Sequence, residues 1–182
     1  MIYTEKKLIL RNGKEAIFRS PAASDAPEML EYLKRCAAET DFLLRYPEEW
    51  AQTVAGEAYY LLSINKSDTA VMTVCTVDGR IAGNCQIQFH DLIKLRHRAV
   101  IGIVILQQYW GIGIGTAMIS EMISIAKARG ILQLELNYAG GNKRAEALYK
   151  KMGFIRIGEH PNALRLKSGV MLNEISMIRS LE

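Results

Sequence analysis

No apolar run in this chain approaches the ~18 residues that a bilayer crossing requires, and Met1 to Arg11 carries Glu5, Lys6, Lys7 and Arg11 where a cleavable leader would be apolar. The expectation is an intracellular, cytoplasmic protein with no membrane partner. Cysteine is scarce: Cys36, Cys75 and Cys85 are odd in number and form no Cys-x-x-Cys pair, which excludes a disulfide scaffold and a zinc knuckle. His90, His97 and His160 are scattered, so neither a metal site nor a Ser/His/Asp triad has support, and metal-free chemistry is expected. Charge of one sign never accumulates either: 23 Lys and Arg face 19 Asp and Glu. The small excess suits an anionic small ligand, and without a basic block it does not suit nucleic acid. What remains is 182 residues, 49% hydrophobic and 23% charged, enough for one domain over residues 1–182 with one core.

The periodicity sorts the chain into alternating elements. Glu15 to Arg19 reads as a short strand, Asp25 to Cys36 as a helix with Ser24 or Asp25 as N-cap and Pro27 in its first turn, and Pro47 to Ile64 as a second helix. Ala70 to Val77 and Arg80 to His90 alternate with period two around Asp78-Gly79, the signature of a hairpin. Ala99 to Leu106 is almost wholly apolar, as expected for a central strand covered on both faces. An amphipathic helix from Thr116 to Arg129 follows, then a strand over Leu132 to Asn137, a helix over Asn142 to Met152, and strands over Phe154 to Ile157 and Val170 to Ile178. This order predicts an α/β fold, a mixed sheet of about six to seven strands with four flanking helices.

Between the central strand and its following helix stands Trp110-Gly111-Ile112-Gly113-Ile114-Gly115-Thr116. A helix N-terminus presents unpaired N–H groups and partial positive charge, and glycine lets a phosphate approach that backbone closely. A dinucleotide fingerprint would need Gly or Ala at position 116 or 118, where Thr116 and Met118 stand. A P-loop would need a lysine, and none occurs between Lys94 and Lys127. The turn resembles motif A of the GNAT superfamily of acetyl-coenzyme A-dependent N-acetyltransferases, Arg/Gln-x-x-Gly-x-Gly/Ala, with Trp110 where Arg or Gln is usual. Leu134-Glu135-Leu136 is similar to that family's fifth strand, and Asn142 to Phe154 to its motif B, Asn-x-x-Ala-x-x-Leu-Tyr-x-Lys-x-Gly-Phe.

The resemblance implies a GNAT-like acyl-CoA N-acyltransferase fold and transfer of an acetyl group from acetyl-CoA, the cosubstrate, to a primary amine by direct attack in a ternary complex. It implies a cofactor-binding set of Ile103, Val104 and Ile105 on the family's fourth strand, Gly111, Ile112, Gly113, Gly115 and Thr116 at the turn, and Asn142. Tyr149 would be the catalytic residue for the departing thiolate: with a thiol pKa near ~8.5 and a tyrosine near ~10, a phenol held against the sulfur can donate a hydrogen bond or a proton as charge develops. Val100 stands where many members carry a basic Glu, which leaves Glu135, Glu39 or a water chain as the base. The acceptor, a small-molecule or protein amine, would be set by residues 37–58 and by a connection over Glu159 to Gly169. Monomer and homodimer both stay open. The alternative of another class is a noncatalytic acyl-CoA-binding sensor or regulatory module.

Overall fold

Asp78 and Gly79 both take positive φ, 51° and 76°, the two-residue turn whose twist suits a hairpin, and they join β3 (Ala70–Val77) to β4 (Arg80–Phe89) in antiparallel register. The computed structural model describes residues 1–182. Its other strands are β1 (Lys6–Ile9), β2 (Glu15–Arg19), β5 (Arg98–Ile105), β6 (Gln133–Ala139), β7 (Ile155–Arg165) and β8 (Met171–Ser180), and its helices α1 (Ala26–Glu39), α2 (Val54–Lys66), α3 (Ile114–Ala128) and α4 (Lys143–Lys151). The strands form one sheet in the order β1-β2-β3-β4-β5-β6-β8-β7. No helix is long and apolar enough to cross a membrane.

Helices cover both faces. Met118, Ile119, Met122 and Ala126 repeat at three- and four-residue spacing along α3 and are fully buried in the larger core, against strand residues such as Ile87, Ala99 and Leu134. Gly130, at φ 69°, ends that helix. On the opposite face Met29, Tyr32 and Cys36 of α1 and Leu61 and Ile64 of α2 close a smaller core over Met72 and Val74.

Several expectations change. The sheet has eight strands, because β1 is added as an edge strand; its sequence Lys-Lys-Leu-Ile lacks alternation, and Ile9 is left exposed. The second helix begins later, at Val54: Thr53 Oγ1 accepts from the Gly56 N–H at 3.0 Å and caps it, while Pro47–Glu49 forms a separate 3₁₀ turn. The strand after Phe154 runs on to Arg165, so most of the supposed connection over Glu159 to Gly169 is ladder, closed by a tight turn in which Leu166 N–H bonds the Val170 carbonyl. Finally, β5 is not covered on both faces. Val100 is 38% exposed and Gly102 is open, because α1 and α2 pack over β3 and β4 and leave that side of β5 facing a cleft.

The single parallel pairing, β5 with β6, holds only from Arg98 to Val100 against Gln133 to Glu135. Beyond it the two strands part. Leu106 N–H bonds the Ala82 carbonyl on β4, and by the two-residue alternation of a ladder the backbone polar groups of Ile103 and Ile105 point the other way, into the gap. On the β4 side, the Tyr32 hydroxyl replaces one rung: it accepts from Asn84 N–H at 3.1 Å and donates to the Val104 carbonyl at 2.8 Å. A phenol from α1 therefore fixes β5 where it leaves its partner.

Candidate active site

The gap opens into a cavity of about 1070 Å³ bounded by β5, the glycine turn, α4 and the segment between α1 and α2. At the turn, Gly111 and Gly113 adopt φ 82° and 105°, values that only glycine takes without strain. Gly113 is the N-cap of α3 and has no side chain to cap it. No backbone N–H from residue 111 to residue 116 finds an acceptor within the protein. Such a run of free donors at a helix start is an anion cradle.

Two guanidinium groups border it. Arg11, whose N–H braces the Ile112 carbonyl at 3.1 Å, places its side chain beside Gly113. Arg144 reaches from α4 to within 3.4 Å of where a Cβ on Gly111 would stand, and stacks on the Trp110 ring at 4.8 Å. Neither pairs with a carboxylate. Trp110, the departure from the motif, donates its indole N–H to the Ile105 carbonyl at 2.7 Å. It thus ties the turn to the open strand edge and carries a positive group from elsewhere in the chain.

The sequence-selected residues fall around this space. Ile103, Val104, Ile105, Gly111, Gly113, Gly115, Thr116, Asn142 and Tyr149 all line the cavity. Ile112 contributes its free N–H, but its side chain packs on the core. Val104 lends its side chain to the wall while its carbonyl is held by Tyr32. Gly115 has a packing duty as well, since a Cβ there would lie 2.9 Å from Leu148 of α4. Asn142 caps α4, its Oδ1 accepting from Ala145 N–H at 3.0 Å. Tyr149, 7% exposed, is held between Tyr138 and Phe154 with ring centroids 5.8 and 6.1 Å away. The residue lines the cavity and its hydroxyl makes no hydrogen bond within the protein, and burial, with Cys85 and Tyr138 nearby, raises its pKa, so the phenol stays protonated at neutral pH.

The two carboxylates selected as bases are engaged. Glu135 forms an ion pair with Arg98, accepts from Gln133 at 2.6 Å and lies outside the cavity wall. Glu39 is at the wall but accepts from Gln107 N–H at 2.8 Å and Arg35 at 3.1 Å, bracing α1 against the turn after β5.

Sequence reasoning missed Glu57. It is 3% exposed, lines the cavity, and makes neither a hydrogen bond nor an ion pair. The available signal was its place on the buried stripe of α2 with Leu61 and Ile64, four and seven residues on. Burial raises its pKa. The folded protein therefore keeps this proton to higher pH than the unfolded chain, and the stability present below the ordinary carboxylate value is lost as pH rises from that value through the raised folded one. Glu57→Gln is expected to raise Tm at pH 7.5 by roughly 2–5 °C, a desolvation cost of about 1 kcal/mol removed, with the difference vanishing near pH 4. Paired thermal melts at the two pH values check this.

Residues 28–154 match the acetyltransferase (GNAT) family. The chain belongs to that family. An uncharacterized N-acetyltransferase of Methanocaldococcus jannaschii is 29% identical over 144 residues, which cover 78% of this chain and 61% of the relative. A GNAT-family acetyltransferase from Streptococcus pneumoniae superposes with a TM-score of 0.84 at 28% identity, covering 91% of this chain and 99% of that one. A GNAT-superfamily phosphinothricin acetyltransferase from Sinorhizobium meliloti, solved in complex with acetyl-CoA, gives 0.77 at 21% identity over 91% and 88% of the two chains. The GNAT fold expected from the glycine turn and the α4 motif is the fold observed, with eight strands.

Proposed function

We propose that this GNAT domain is an acetyl-CoA-dependent N-acetyltransferase that transfers the acetyl group to a primary amine by direct attack in a ternary complex. The observation that carries the reading is the run of unpartnered N–H groups from residue 111 to 116, flanked by Arg11 and Arg144 and continuous with the open β5 edge. That donor set fits a pyrophosphate followed by an extended amide-bearing arm. When bound, acetyl-CoA supplies an activated thioester.

The chain's residues divide the remaining work. The N–H groups of residues 111 to 116, with Arg11, Arg144 and Thr116, hold phosphate oxygens, and Asn142 orders α4 beside them. The backbone groups of Ile103 and the N–H of Ile105, whose carbonyl Trp110 already holds, bind the arm as an added strand would and direct an N–H at the thioester carbonyl. Tyr149 Oη is the proton donor for the departing sulfur. Direct attack is favoured because the candidate thiols are poor nucleophiles. Burial pushes Cys36, the only cysteine at the cavity wall, up to about 12, and does the same to Cys75 and Cys85.

Binding to the native state alone stabilises by mass action. Saturating acetyl-CoA at 100 times its Kd is expected to contribute about 2.7 kcal/mol and to raise Tm by roughly 5–10 °C, whereas NAD and ATP at equal concentration give much smaller shifts. Thermal melts with the three ligands decide it. A shift with NAD or ATP but none with acetyl-CoA overturns the reading.

A further inference from the structure

We propose that the acceptor end of the cavity takes a small primary amine carrying a second cationic group, which the Glu57 carboxylate holds. This rests on the acetyltransferase reading of the same cavity and names its acceptor class. The Glu57 carboxylate sits on a residue only 3% exposed, opens onto the cavity and has neither a hydrogen bond nor a counter-ion from the protein, and within a binding cavity the fitting partner is a cation on the ligand. No protein cation fills the role. The basic residues on the wall are Arg11 and Arg144, which serve the glycine turn, and Arg45, which stacks on Trp50 at 4.8 Å.

The surroundings specify more than charge. Tyr60, one turn along α2 from Glu57, donates its hydroxyl to Gln86 of β4 at 3.1 Å, while Met29 and Leu33 of α1 and Met72 of β3 supply an apolar wall for a hydrocarbon chain. Helix α2 packs over β3, and β3 is two strands from β5. At about 4.8 Å per strand, Glu57 therefore lies about two spacings, roughly 10 Å or more, from the β5 edge. A diaminoalkane spans that distance with one nitrogen at each end.

The segment between α1 and α2 crosses the same end of the cavity. Phe42 lies 3.8 Å from the position of a Cβ on Gly141, in the turn before α4. Tyr46 accepts from Lys167 N–H at 2.8 Å in the β7–β8 turn, and Lys167 pairs with Glu48. These ties join the segment to the turn before α4 and to the β7–β8 turn.

The test is calorimetric titration of the CoA-saturated protein with diaminoalkanes of three to eight carbons and with n-alkylamines of equal length, beside the same amines in a thiol-release assay with acetyl-CoA. The best diamine is expected to bind roughly 10- to 100-fold more tightly than its alkylamine, the range of a hydrogen bond to a charged group. It should lead in kcat/KM by a similar factor. Glu57→Gln should bring the binding ratio to within about threefold of unity, and Glu57→Asp should keep the preference while moving the optimum to a longer diamine. Equal binding of both amine classes to the wild type, or a preference that survives Glu57→Gln, overturns the proposal. Because the titration needs no turnover, a diamine preference without thiol release counts against the transferase reading alone, and thiol release without that preference counts against the acceptor class alone.

Discussion

Replacing Gly113 by valine is expected to weaken acetyl-CoA binding at least ~100-fold while the protein stays folded. Gly113 stands at φ 105° as the N-cap of α3, and a β-branched residue there costs on the order of 1–3 kcal/mol of backbone strain. The nearest atoms to its Cβ position belong to Arg11, 3.8 Å away. The side chain itself has room, so the strain must be relieved by turning the peptide units that aim the N–H groups of residues 111 to 116. Gly130→Val is the matching control. Gly130 also has positive φ, 69°, with open space around it, but at the other end of the same helix. Calorimetry should show affinity lost in the first variant and kept in the second, with both losing several degrees of Tm. Unchanged affinity in Gly113→Val would make the turn a structural feature only.

Tyr149→Phe is expected to lower kcat by roughly 10- to 1,000-fold, the range of one general-acid contribution, with acetyl-CoA affinity little changed. The ring contacts with Tyr138 and Phe154 survive the change, and the hydroxyl gives up no hydrogen bond within the protein. Tm should therefore hold, which separates chemistry from packing. Steady-state kinetics with an accepted amine, beside a melt of the same sample, make the measurement. Turnover at the wild-type rate would reduce Tyr149 to a packing residue, and loss of cofactor affinity would reassign its hydroxyl to binding.

The elements that carry strong local signals were legible. Asp78-Gly79 named its hairpin, and the glycine turn and the α4 pattern named the fold family and nine cavity-lining residues. What escaped depends on tertiary placement. The apolar run of β5 looks like a strand covered on both faces, yet the same composition serves a strand whose one face floors a cleft, because hydropathy does not record where β6 diverges. Strand β1 owes its existence to pairing with β2 rather than to its own pattern. Glu135 and Glu39 looked free because their partners Arg98 and Gln107 are distant in sequence, 37 and 68 residues away. Apart from its spacing to Leu61 and Ile64, Glu57 carries no local signal of burial, because the packing of α2 and not its sequence neighbours places it, 3% exposed, on the cavity wall. The stacking of Arg144 on Trp110 left no signal in the sequence, since the two meet only where α4 packs beside the turn.

The central claim is tested most directly by free-thiol release from acetyl-CoA over a panel of primary amines, with the amine products weighed by mass spectrometry. The account predicts release that depends on both enzyme and amine, one acetylated amine per thiol, and no acetylated protein intermediate. Tight acetyl-CoA binding without amine-dependent release would contradict it and leave a binding module in place of an enzyme.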